Sequence, residues 1–185
     1  MGWMDQVSSL LQQYAASGTG TASSDAGDHF DKVAQVAPQG AIADGLAAAF
    51  RSDKTAPFGQ MLAQLFSQSN GTQQAGMLNQ LIAAAGPSVL QQAMSGASGG
   101  TLGGALSAML APQPGAGQAN VTPAQAQQVL PQQVQQLAAQ VEKSNPSVID
   151  AMSQFYAQHP EVVKSLGAGA LSIALAKIAQ GQGRT

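Results

Sequence analysis

The stretch MLAQLF at residues 61–66 recurs sixteen residues later as MLNQLI at residues 77–82. In each copy the apolar residues lie three or four positions apart, which places them on one stripe of an α-helix with glutamine on its flank. Between the copies, Asn70-Gly71-Thr72 supplies a turn and then Thr72 as an N-cap. We therefore expect a helical hairpin whose arms pack on each other. Duplication and coincidental helix patterning both explain the repeat.

Apolar spacing of this helical kind runs through nearly the whole chain, and no alternating strand pattern of useful length is present. The sequence therefore predicts an all-α fold, a multi-helix bundle of short helices in two sub-bundles joined by a Gly/Pro-rich linker. We place that linker at residues 112–120. Residues 1–111 then form an N-terminal helical region with a Gln/Ala/Gly-rich second half, and residues 121–185 form a C-terminal helical region.

Proline punctuates the chain between these helices. Thr122-Pro123 has the form of an N-cap followed by proline at the first helical position, and Asn145-Pro146 repeats the device. Pro131 opens a further helix, and His159-Pro160 breaks the chain before a final helix that ends near residue 180. Upstream, Gly86-Pro87 ends the hairpin, and a short helix follows to about residue 95.

Charged residues are few and unevenly placed. They make up 9 % of the 185 residues, with a net charge of −2, whereas an average soluble domain has about 25 %. Residues 55–141 contain no Asp, Glu, Lys, Arg or His. A surface this neutral lacks the like-charge repulsion that usually opposes self-association. It is either covered by other copies of the chain or the product of a lineage bias toward Gln, Ala and Gly.

The ionisable residues do not predict a catalytic or metal site. Cysteine is absent, which excludes disulfides and Cys-ligated metals. One His–carboxylate cluster is present: His29 with Asp25, Asp28 and Asp31. On a helix His29 points about 100° away from Asp28, so we interpret the cluster as a solvated, capped helix start. His159 fits a helix cap or an exposed residue, and we expect no enzymatic activity, metal or cofactor.

Other ligand classes also lack their motifs. The sequence GASGG at residues 96–100 has no following Lys-Ser/Thr, so it is not a P-loop. A basic patch with interleaved aromatic residues is missing, and we expect no nucleic-acid partner. The first basic residue is Lys32, so the positively charged start of a signal peptide is absent and we expect a cytoplasmic protein.

The final helix is apolar on more than one side. Leu171, Leu175 and Ile178 lie on one face, and Ile173 points away from them. Small residues recur every four positions and allow another helix to approach closely; they are Ala168, Ser172 and Ala176. Such a helix is buried in a core or in a subunit interface. The stretch between Lys164 and Lys177 is too short to span a membrane, which takes about 20 residues.

Two segments resemble the YidB-like family of bacterial proteins. The opening MGWMDQV at residues 1–7 is similar to the Met-Gly-Leu-Phe-Asp with which that family typically begins. The segment VTPAQAQQV at residues 121–129 is similar to its Thr/Ser-Pro-x-Gln helix start. The resemblance covers about a third of the chain and implies a small helical fold. It implies no catalytic residues, because the family is functionally uncharacterised.

Together these patterns predict a non-enzymatic structural protein that self-associates into a homo-oligomer, with a filament or a shell as candidate forms. The alternatives are a helical adaptor that binds a protein partner through an apolar groove, and a peripheral membrane-associated accessory protein. For the last of these the Lys/Arg face of a membrane-binding helix is missing, so we do not expect membrane binding. The candidate interface residues are Phe58, Met61, Leu62, Leu65, Phe66, Leu171, Ile173, Leu175 and Ile178.

Overall fold

A computed structural model describes residues 25–95 and 121–182, together with Ser9 and Gln12. This part of the chain is all-helical and contains no strand, as the apolar spacing predicts. The predicted linker at 112–120 lies outside the described residues. The helices are α1 (Ala26–Ala34), α2 (Gln39–Phe50), α3 (Phe58–Gln68), α4 (Gly71–Ser95), α5 (Pro123–Ala126), α6 (Pro131–Ser144), α7 (Val148–Ala157), α8 (Pro160–Val163) and α9 (Ala168–Gln182).

The helices fall into two compact units whose boundaries lie between Pro57 and Phe58 and between Val148 and Ile149. Unit 1 contains α1, α2, α8, α9 and all of α7 after its first residue, and unit 2 contains α3 to α6. Each unit therefore draws helices from both sides of residues 112–120. This grouping differs from a division into residues 1–111 and 121–185, because helices far apart in sequence bury their apolar faces against each other.

Unit 1 is built around the packing of α9 on α2 and α1. Gly45 of α2 allows a close approach, since a Cβ at this position would lie 2.7 Å from the carbonyl oxygen of Ala174. The side chains of Phe30, Leu46 and Tyr156 are completely buried in this unit. This core therefore brings together helices from the beginning and from the end of the described chain.

Unit 2 is built around α3 packed on α6 and α4 packed on α5 and α6. A side-chain amide fixes the entry into α5, because Val121 N–H donates to Asn79 Oδ1 at 2.7 Å and Asn79 Nδ2 donates to the Val121 carbonyl at 3.3 Å. At the far end of α6, Asn145 Nδ2 donates to the carbonyl of Ala84 at 3.1 Å. Helix α4 is therefore tied by hydrogen bonds to both ends of the α5–α6 segment.

The hairpin predicted at residues 61–82 forms as two helices, but its arms contact each other little. Helix α3 packs chiefly on α6, and α4 makes only a small contact with it. The cap also differs by two positions from the prediction. Gln73 N–H donates to Asn70 Oδ1, and Asn70 N–H donates to Gln73 Oε1, both at 3.0 Å. Asn70 caps α4 in place of Thr72 because this reciprocal pair of hydrogen bonds satisfies the backbone N–H groups of both Asn70 and Gln73.

The break predicted at Gly86-Pro87 is present inside α4. Gly86 has φ of 69° and ψ of 169°, a conformation that is essentially restricted to glycine. Helical structure resumes after it and ends at Ser95, as expected. The N-cap predicted at Thr122 is also confirmed. Its side chain accepts a hydrogen bond from Gln125 N–H, and Pro123 occupies the first helical position.

Candidate functional site

Five candidate interface residues lie on α3, and all are buried within the chain. Leu62 and Leu65 have no exposed area, and the most exposed of the five, Met61 and Phe66, reach only 2 %. Phe58 is buried with them. These residues form the core of unit 2 instead of lining an open groove, because α6 packs against α3. Within the described residues, these five side chains therefore line no apolar groove of the kind that the adaptor hypothesis assumes.

The four candidate residues on α9 divide as the helical spacing predicts. Leu171, Leu175 and Ile178 are buried, and Ile173 is half-buried. Packing on α2 explains the burial, since Ile178 lies within 2.8 Å of the position that a Cβ on Gly45 would take. Of the two alternatives for this helix, the described structure shows a core helix of unit 1.

The charged residues gather in unit 1. Unit 1 combines the segments before residue 58 and after residue 148, which carry most of the acidic and basic residues. Residues 58–148, which form unit 2, contain only two charged residues, Glu142 and Lys143. Two ion pairs join distant segments of unit 1: Arg51 to Asp150 at 2.7 Å and Lys164 to Asp31 at 3.4 Å. The side chains of the first pair are 48 % and 49 % exposed, so we expect it to contribute at most about 1 kcal/mol.

Apart from Glu142 and Lys143, the surface of unit 2 that the structure describes carries no charge and is rich in polar side chains. On α3 the exposed side chains are Gln60, Gln64, Ser67 and Gln68. On α6 the exposed side chains before the last turn are Gln132, Gln135 and Gln136. The helix starts of this unit also use amides, since Gln73, Gln125 and Gln133 each accept from a backbone N–H three residues earlier. Glutamine thus replaces the glutamate that is common at this position of a capping box.

One exposed apolar residue in the described chain was not singled out by its sequence pattern. Leu130 is 59 % exposed and precedes Pro131, the first residue of α6. Its position as N-cap residue, outside the apolar stripe of the helix, explains why it does not enter the core. The Leu-Pro pair is the sequence signal that would have located it.

The two histidines are far apart in sequence and have different surroundings. His159 is the N-cap residue of α8; its Nδ1 lies 3.4 Å from Glu161 Oε1, and its ring lies 5.1 Å from that of Phe155. His29 lies half-buried on α1. Within residues 25–95 and 121–182, no three His, Asp or Glu side chains form a group that could hold a metal ion. His159 is thus a partly exposed histidine beside one carboxylate and one aromatic ring.

No helix among the described residues has both the length and the apolar character needed to cross a membrane. No protein-family model matches this sequence, and no curated protein or solved structure matches it. The resemblance of residues 1–7 and 121–129 to the YidB-like family therefore stays a prediction.

Proposed function

We propose that this protein is a non-enzymatic structural protein that self-associates into a homo-oligomer, with a filament or a shell as the possible assembled forms. The observation that carries this proposal is the separation of charge between the two units. Unit 1 holds nearly all the charged residues. Apart from Ser67, the exposed side chains of α3, and those of α6 before its last turn, are glutamines.

The physical argument concerns what keeps dissolved proteins apart. Repulsion between like charges on facing surfaces opposes association, and a surface without charge offers no such opposition. Burying charges also costs desolvation energy, which an uncharged polar surface largely avoids. Contact between copies through unit 2 therefore meets a smaller free-energy penalty than contact through unit 1.

The test is the mass of the purified full chain by light scattering over a concentration series, with electron microscopy of the same sample. We expect a mass that is a multiple of 18.6 kDa and particles of regular shape. A single species of 18.6 kDa at every concentration would overturn the proposal. Partner capture from a cell lysate would then be the next step.

A further inference from the structure

Two rows of exposed glutamines lie on helices that pack against each other. The α3 row consists of Gln60, Gln64 and Gln68, spaced four residues apart. The α6 row consists of Gln132 together with Gln135 and Gln136, which follow it by three and four residues. Residues with this spacing are neighbours on a helix surface. Since α3 and α6 are packed partners, both rows belong to the same helix pair of unit 2.

The carboxamide group suits contact with a copy of itself. Each glutamine side chain has an NH₂ group with two donors and a carbonyl oxygen with two acceptor sites. A two-fold symmetric interface brings the same patch of both subunits together, so each group must be able to pair with its own kind. Lysine, with donors only, and an ionised carboxylate, with acceptors only, cannot do so. Glutamine can, and it adds no charge.

The neutrality of these rows also bears on which partner they fit. A nucleic acid, an anionic membrane or a charged peptide gains its binding energy from opposite charges, and the two rows present none. Placing a partner's charge against neutral amides would leave that charge desolvated without a counter-charge. A second copy of this chain presents an equally neutral surface and meets no such penalty.

We propose that the α3 row and the α6 row form the contact between copies of this chain. This inference rests on the proposed self-association, and it adds the surface and the chemistry by which the copies meet. Amide groups of one copy pair with amide groups of the other, and the buried stripe of α3 takes no part because it already packs within unit 2.

The test places like charges on both rows of the full-length chain with the double variant Gln60→Lys/Gln136→Lys. Each copy then carries two positive charges at the contact, and we expect the mass by light scattering to fall to 18.6 kDa. The matched control is Gln80→Lys/Gln128→Lys, which adds the same charges at exposed glutamines of unit 2 outside the rows. We expect the control to keep the oligomer of the unchanged chain.

A mixing experiment separates an interface from a folding defect. The variant Gln60→Glu/Gln136→Glu is expected to be monomeric by itself, and an equimolar mixture with the lysine variant is expected to associate again, because opposite charges then meet across the contact. Circular dichroism of each variant checks that the helices are intact. If the double lysine variant does not fold, Gln132→Lys alone provides the same test with one charge.

The outcomes distinguish this inference from the proposed function. If the unchanged chain is monomeric, both fail. If the unchanged chain is oligomeric and Gln60→Lys/Gln136→Lys leaves its mass unchanged, self-association stands and the rows are not the contact. Equal dissociation of the row variant and the Gln80→Lys/Gln128→Lys control, or failure of the mixture to associate, would likewise overturn the assignment of the rows.

Discussion

At the scale of single residues, burial separates leucines that look alike in sequence. Leu62 lies in the apolar stripe of α3 and has no exposed area, whereas Leu130 stands before the first residue of α6 and is 59 % exposed. The stripe marks Leu62 as a contact residue, but helical spacing alone does not say whether the contact is inside the chain or with a partner. The structure places it inside unit 2.

This difference predicts unequal effects of truncation. We expect Leu62→Ala to lower the free energy of unfolding by about 2–5 kcal/mol, since it leaves a cavity in a packed core. Leu130→Ala, the matched control, should change it by less than about 0.5 kcal/mol. Denaturant unfolding followed by circular dichroism measures both. Loss of association by Leu62→Ala with unchanged stability would show instead that Leu62 faces a partner.

At the scale of helices, pairing depends on how closely two backbones can approach. Gly45 of α2 faces the Ala174 carbonyl of α9, and Gly59 of α3 faces the backbone of α6, where a Cβ would lie 2.6 Å from the Gln135 carbonyl oxygen. Each unit thus has a buried glycine in its main helix pair. A methyl group at either position would require two helices to move apart, which disrupts the packing around them.

Two glycines of α2 allow a comparison within one helix. We expect Gly45→Ala to lower the free energy of unfolding by about 1–3 kcal/mol because of the clash with α9. Gly40 is exposed, and a Cβ there meets nothing within 4 Å, so Gly40→Ala should raise it by up to about 1 kcal/mol through a higher helix propensity. Thermal or denaturant unfolding measures both. Equal effects would show that the α2–α9 contact is looser than described.

At the scale of the whole molecule, the distribution of charge between the units decides how salt should act. If copies meet through unit 2, few charges lie at the contact, so salt has few charge–charge interactions to screen. We therefore expect the mass of the oligomer to be the same at about 50 mM and about 500 mM NaCl. Light scattering at both concentrations measures this. Dissociation at the higher concentration would indicate a contact through the charged residues of unit 1.

The secondary structure and the pattern of charge could be predicted from the order of the amino acids. Helices, the break at Gly86 and the Thr122 cap follow from interactions within a few residues, which a local sequence contains. The absence of charged residues from positions 55–141 is likewise visible in the sequence. The three-dimensional structure was needed to show that α3 pairs with α6, that α9 pairs with α2, and that the apolar stripes are buried within the chain. Pairing of this kind depends on complementary shape between segments that are far apart in sequence, and helical periodicity carries no information about which distant surface will fit.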